Sequence, residues 1–262
     1  MRRRQFLKDA LVMGALPLAA AETASTSDGQ PHGDPPFLLE IGWQPLLAGG
    51  GLAGWMPQDG KPSTWTATRA VLWDPAAAPK KLTALGMAGD RILNGPEGRT
   101  ANLVTTRQFG DMELYLEFMI PEGSNSGVYL HGLYEVQIFD SFGAAARKTS
   151  DCGAIYHRWI NEKPVGGSPP KVNASYRPGQ WQSFQIWFRG PRFDTAGEKL
   201  ERARFLRVLH NGVLVQENVE LDGPTRSHMD IPEARENPLM LQGDHGPVAY
   251  RNMYWHPLRA IA

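Results

Sequence analysis

Cysteine is nearly missing from this sequence, since Cys152 is the only one among 262 residues. No disulfide can form within the chain, so a packed apolar core must supply its stability. No neighbouring residue is expected to lower the pKa of the Cys152 thiol. A small buried residue is therefore favoured over a nucleophile.

An excess of charge of either sign is also absent, because 27 Lys and Arg residues balance 27 Asp and Glu residues. Such a chain has no overall field to attract nucleic acid, and we expect no nucleic-acid partner. The motifs G-x-x-x-x-G-K-[ST], H-E-x-x-H, C-x-x-C and G-x-S-x-G are missing as well. Their absence disfavours nucleotide-binding proteins, zinc proteases and serine hydrolases.

The apolar run near the N-terminus is too short to span a membrane. It covers residues 10–21, has 12 residues and contains Pro17, whereas a spanning helix needs roughly 20 apolar residues. The preceding segment Arg3–Lys8 is similar to a twin-arginine signal. We therefore predict a cleavable signal peptide over 1–21, a periplasmic or extracellular location, and no stable membrane span after cleavage. A retained membrane anchor is the alternative.

Residues 22–36 are rich in Ser, Thr, Gly, Pro and acidic residues and have no apolar period. This composition predicts a flexible linker. From 37 to 262 there is no further linker, repeat or change of composition, which predicts one domain.

Long helical periodicity is absent from that domain, and period-two alternation takes its place. In 111–120, Leu114, Leu116 and Phe118 lie on one face, and Glu113, Tyr115, Glu117 and Met119 lie on the other. Asn211-Gly212 between two apolar runs is a strong hairpin signal. Further alternating runs occur at 127–131, 134–140, 182–189, 239–242 and 248–255. We predict an all-β fold, a two-sheet antiparallel jelly-roll sandwich.

The stretch 123–140 contains the residues of greatest interest. Its apolar positions share one parity and suit a buried face: Val128, Leu130, Val136 and Ile138. Its polar positions share the other parity: Tyr129, His131, Glu135 and Gln137. If the two strands form a hairpin, the polar side chains cluster on the outer face. That set suits a sugar ring and its hydroxyls; a hydrogen-bonded polar sheet surface is the alternative.

Five other residues are candidates. His157 ends a short predicted strand, and Gln242 and His245 lie in a glycine-flanked polar loop, where functional groups are common. Asp140 lies at a strand end, where a turn-forming role is the alternative. Arg251 either pairs with a carboxylate of the site or forms a surface ion pair.

Several of these segments resemble the 3-keto-disaccharide hydrolase domain family, a former domain of unknown function. The matching blocks occur in the family's order: NSGVYLHGLYEVQIFDS, GAIYH, GQWQSFQIWFRG, VLHNGVLVQENVEL and LMLQGDHGPVAYRNMYWHPL. The resemblance covers about 42–258 and implies a concanavalin A-like lectin/glucanase fold. It also implies cleavage of glycosidic bonds in 3-keto-glycosides, with a 3-keto-glucoside or disaccharide as the carbohydrate ligand.

The chemistry implied by the resemblance begins with the acidic C2 hydrogen beside a C3 carbonyl. Removal of that proton expels the C1 substituent, and water can add afterwards. A general base, an acid for the leaving oxygen and an electrophile at the enolate oxygen are needed. A divalent metal cation is one candidate for the electrophile.

Roles are assigned to the matching positions. The expected catalytic residues are Glu135, His157 and His245. Glu135 is favoured as the base or a metal ligand, and the two histidines are candidates for the same roles. The expected substrate-binding residues are Tyr129, His131, Gln137, Gln242 and Arg251. The expected ligands of a divalent cation are Glu135, Asp140 and His157.

Two other functions remain open. A non-catalytic, lectin-like carbohydrate-binding module is compatible with the same fold. A conventional glucanase needs two acids across the cleft, but the E-x-D-x-x-E spacing is absent because Gln137 and Asp140 follow Glu135. The glucanase is therefore the least favoured alternative.

Overall fold

The computed structural model describes residues 35–47 and 49–258. The predicted signal peptide and nearly all of the predicted linker lie outside these residues, and export stays a prediction. Within the described ranges, helix is limited to α1 (Pro36–Leu39). No helix there is long and apolar enough to cross a membrane.

Strands make up the rest of the regular structure. In chain order they are β1 (Gln44–Pro45), β2 (Trp55–Pro57), β3 (Thr66–Leu72), β4 (Thr83–Met87), β5 (Arg91–Leu93), β6 (Leu103–Phe109), β7 (Met112–Met119), β8 (Asn125–Leu130), β9 (Tyr134–Phe139), β10 (Arg158–Ile160), β11 (Lys163–Val165), β12 (Gln182–Arg189), β13 (Arg192–Phe193), β14 (Lys199–Glu201), β15 (Arg204–His210), β16 (Val213–Glu220), β17 (Asn237–Leu241) and β18 (Ala249–Pro257).

The strands form two main antiparallel sheets. The larger has the order β16-β15-β12-β7-β18-β5-β3-β4, with β1 also paired to β18. The smaller has the order β2-β6-β17-β8-β9. Two further pairs, β10-β11 and β13-β14, are separate hairpins.

The core lies between the two main sheets, as the alternation predicts. Leu116 lies opposite Phe184 across β7 and β12, and both are fully buried. From the smaller sheet, Val128 and Val136 form a cross-strand pair and belong to the same apolar cluster. Each such side chain contributes about 1.5–3 kcal/mol through burial. The predicted two-sheet jelly-roll sandwich is confirmed.

Two turns fix the registers of predicted hairpins. Asn211 and Gly212 both have positive φ, 51° and 75°, as a two-residue turn of the mirror-image type requires. The β8–β9 hairpin turns through His131 and Gly132, whose φ values are 57° and 64°. His131 therefore leaves the strand alternation, although the sequence placed it in the strand.

Candidate functional site

A polar pocket of about 120 Å³ lies on the outer face of the smaller sheet. Its wall combines the β8–β9 hairpin, the residue after β17 and three loops. It is lined by Asn125, Tyr129, Glu135, Gln137, Tyr156, Arg226, Ser227, Gln242 and His245.

The hairpin brings three predicted site residues together. Tyr129 lies opposite Glu135 in the β8–β9 register, and Gln137 lies opposite Gly127. Gly127 provides the space for the carboxyl group, because a Cβ at this position would lie 2.1 Å from Glu135 Oε1. The glycine is needed here for close approach, since its φ is not in the left-handed region.

Glu135 is the most perturbed carboxyl group of the pocket. Its side chain is almost fully buried, and burial raises its pKa to about 8, with Asp244 adding to the increase and a hydrogen bond from Tyr129 opposing it. The Arg226 carbonyl oxygen, 3.1 Å from the Tyr129 hydroxyl, is a second acceptor for the single proton of that hydroxyl. At neutral pH, Glu135 is therefore mostly a protonated acid.

Two amide oxygens of the pocket have no hydrogen-bond partner within the described residues. They are Asn125 Oδ1 and Gln137 Oε1, and both are buried. Buried polar atoms are nearly always paired, so unpartnered oxygens beside a pocket indicate acceptors available to ligand hydroxyls.

The loop carrying Gln242 and His245 is fixed by Asn94. The Asn94 side-chain nitrogen donates to the carbonyl oxygens of Gly243 and Gly246, at 3.0 and 2.8 Å, and its oxygen accepts from Val248 N at 2.8 Å. Asn94 is fully buried. A short asparagine thus holds three backbone groups of this loop.

Asp244 orients His245 at the pocket wall. The Nδ1–H of His245 donates to Asp244 Oδ1 at 2.5 Å. This hydrogen bond is the first cause of the lowered Asp244 pKa. Since a carboxylate only accepts, the neutral imidazole keeps its lone pair on Nε2.

Tyr156 reaches the pocket from the segment beside β9. Its backbone N–H donates to the Glu135 carbonyl oxygen at 3.1 Å. Burial, followed by the Glu135 charge, raises the pKa of Tyr156. His157 does not line the pocket: its ring stacks on Tyr156 at 4.1 Å, and Nδ1 lies 3.2 Å from Thr149 Oγ1.

The predicted location of His131 on this polar face is wrong. The left-handed turn carries the side chain into the interior, where it is fully buried and 4.9 Å from the Phe188 ring. Burial lowers its pKa to about 4. A neutral imidazole that packs against aromatic rings does not face the pocket.

Arg251 also lies elsewhere, on the outer face of the larger sheet. Its Nε donates to Glu117 Oε2 at 2.5 Å, and its guanidinium lies 4.3 Å from the Trp181 ring centre. The sequence left open whether Arg251 pairs with a carboxylate of the site or forms a surface ion pair. Arg251 pairs with a buried carboxylate, but that carboxylate is not in the pocket.

The three predicted metal ligands do not converge. Asp140 Oδ2 accepts from Gly123 N at 2.9 Å, which is the turn-forming alternative, and His157 lies outside the pocket wall. Within 35–47 and 49–258, no group of three His, Cys, Asp or Glu residues is arranged to hold a metal ion. These residues do not fit the predicted cation site.

Five residues of the site were not assigned a role from the sequence. Four line the pocket, and the fifth, Asp244, holds His245: Asn125, Tyr156, Arg226, Ser227 and Asp244. Asn125 and Tyr156 lie in the matching blocks NSGVY and GAIYH, and Asp244 lies in the singled-out loop, so local signals existed for three of them. Arg226 and Ser227 lie in a segment with no distinctive pattern.

A family model described as the 3-keto-alpha-glucoside-1,2-lyase-like domain matches residues 42–256. None of the curated proteins matches the chain.

Solved structures of similar fold include candidate glycosyl hydrolases from Parabacteroides distasonis ATCC 8503. One is 22% identical, with a TM-score of 0.59, and the match covers 83% of this chain and 84% of that one. Another is 14% identical, with a TM-score of 0.54 and coverage of 83% and 94%. At these identities the likeness supports the fold alone.

Proposed function

Because the chain belongs to the family of 3-keto-alpha-glucoside-1,2-lyase-like domains, a family of carbohydrate-active proteins, we propose that it cleaves the glycosidic bond of 3-keto-glycosides. The observation that carries this proposal is Glu135, a buried carboxyl with a pKa of about 8, in a pocket with two unpartnered amide oxygens.

The reaction is an elimination across C1 and C2. A base takes the C2 proton, the electron pair of that C–H bond forms the C1–C2 double bond, and the bond from C1 to the leaving oxygen breaks. The leaving oxygen takes a proton from an acid. Water can then add across the double bond, which completes a hydrolysis and restores both catalytic groups.

Glu135 acts as the acid. Since burial keeps its carboxyl mostly protonated at neutral pH, it has a proton to give to the leaving oxygen. This assignment replaces the base or metal-ligand role expected from the sequence, because a base must be deprotonated when the substrate binds.

His245 acts as the base through Nε2. Asp244 holds the opposite ring nitrogen and stabilises the imidazolium that forms, as a carboxylate does for a catalytic histidine. The amide groups of Asn125, Gln137 and Gln242 line the pocket and bind the sugar hydroxyls, and a glutamine N–H of this set donates to the enolate oxygen. No step is assigned to a metal ion.

Release of the leaving group from a 3-keto-glucoside tests the proposal. Glu135→Gln should lower kcat by about 10²-fold or more, whereas Glu122→Gln, at an exposed glutamate, should change nothing. In the wild type, kcat/KM should fall as the pH rises through about 8, because Glu135 then loses its proton.

Three results would contradict parts of the proposal. A kcat/KM that rises through pH 8 would make Glu135 the base. Loss of activity with a chelator, restored by a divalent cation, would mean that the reaction depends on a metal ion bound by residues other than the three predicted ligands. Saturable sugar binding without turnover would identify a lectin-like module.

A further inference from the structure

A wider groove adjoins the pocket and shares Arg226 and Ser227 with it. Its volume is about 530 Å³, and Trp159, Ile160, His228 and Glu233 are among the residues that line it. The reaction assigned above uses none of these side chains.

The two volumes indicate that a glycoside extends from the pocket into the groove. The pocket of about 120 Å³ is smaller than an engineered cavity of about 150 Å³ that holds benzene. It is too small to enclose a disaccharide. The groove falls in the range of roughly 300–1,000 Å³ that is typical of ligand clefts, so it can take the rest of the substrate.

Trp159 is presented to the groove by a short hairpin. β10 and β11 are joined through Asn161 and Glu162, which have φ values of 49° and 61°, the geometry of a tight two-residue turn. Trp159 is 44% exposed, and the Arg226 guanidinium lies 4.0 Å from its ring centre. That contact fixes the indole plane without burying it.

Aromatic rings connect the pocket with the groove. Tyr156 lines the pocket, the His157 ring stacks on it at 4.1 Å, and Trp159 lies 6.0 Å from His157. Arg226 N donates to the His157 carbonyl oxygen at 3.0 Å. The groove wall is thus joined to the pocket wall by a backbone hydrogen bond and by a row of neighbouring rings.

The polar groups around Trp159 favour a sugar over an apolar group. Arg226, Ser227 and His228 are exposed and line the groove with Trp159. An aromatic face with hydrogen-bonding groups at its edge suits a pyranose, which has apolar faces and polar edges. We propose that the groove binds the second sugar, the leaving group, of a disaccharide substrate, with its ring against Trp159.

This inference rests on the proposed function, and its test separates the two. Turnover is measured with a 3-keto-disaccharide, an aryl 3-keto-glucoside and methyl 3-keto-glucoside. Trp159→Ala should lower kcat/KM for the disaccharide by about tenfold and leave the methyl glucoside within about twofold. Trp187→Ala is the matched control, because Trp187 also has an arginine over its ring, Arg207 at 5.4 Å, but lies in the larger sheet.

Calorimetric binding of the disaccharide and the methyl glucoside gives a readout independent of catalysis. If the wild type turns over no substrate, the proposed function fails, and a selective loss of disaccharide affinity in Trp159→Ala still supports the groove. Equal effects of Trp159→Ala on all substrates, or none, would overturn the inference. A loss confined to the aryl glucoside would also overturn it, because the occupant would then be an aromatic aglycone.

Discussion

Glu135→Gln should change how the stability of the folded protein depends on pH. The folded carboxyl has a pKa of about 8, against an ordinary value of 4.5. Below pH 4.5 both the folded and the unfolded states hold the proton, so the carboxyl adds no pH dependence to the free energy of unfolding. Above pH 4.5 the unfolded state releases its proton first, and the folded protein loses stability as the pH rises.

The size of this loss follows from the interval between the two pKa values. Stability falls by about 1.36 kcal/mol for each pH unit between 4.5 and 8, which amounts to about 5 kcal/mol once the folded carboxyl has ionised. A glutamine has no proton to lose in this range. The difference in unfolding free energy between wild type and Glu135→Gln should therefore change by about 5 kcal/mol, in favour of the variant at high pH.

Urea denaturation at half-unit steps from pH 4.5 to 9 measures this difference. Other titrating groups contribute almost equally to both proteins and cancel. Glu122→Gln, at an exposed position, should show a constant difference from wild type. Parallel curves for wild type and Glu135→Gln would mean that Glu135 has an ordinary affinity for its proton, and the assignment of Glu135 as the acid would fail with it.

Two further substitutions test the placement of residues. Gly127→Ala should displace the Glu135 carboxyl and lower kcat/KM by about 10²-fold. Gly51→Ala is the control, because a Cβ there meets no atom within 4 Å, and it should leave kcat/KM unchanged. Full activity of Gly127→Ala would refute the steric role. Arg251→Met leaves Glu117 buried without its cation and should lower the unfolding free energy by about 3–5 kcal/mol with an unchanged KM. A raised KM at unchanged stability would instead mean that Arg251 contributes to substrate binding.

The fold could be predicted because its signals are local. Alternation over Leu114, Leu116 and Phe118 defines which face of β7 is buried, whatever strand lies beside it. Asn211-Gly212 defines a turn by backbone chemistry alone. Both features depend on neighbours in the sequence, and both match the structure.

The site could be predicted only where it is equally local. Tyr129, Glu135 and Gln137 share a face because one hairpin holds them. The alternation could not show that His131 enters the turn, nor that Arg251 faces Glu117 across a sheet, because that pairing joins residues 134 apart. Asn94 gave no signal either, since its partner Gly243 is 149 residues away.

The position of β18 has a consequence for the order of assembly. This strand, the last of those in the described residues, lies between β7 and β5 in the middle of the larger sheet. It directly follows the loop that carries Gln242 and His245. A nascent chain leaving the ribosome cannot close the sheet until residues 249–257 have emerged. Such long-range pairing folds slowly, and a synthesis intermediate that ends before residue 249 cannot join β7 to β5 through β18.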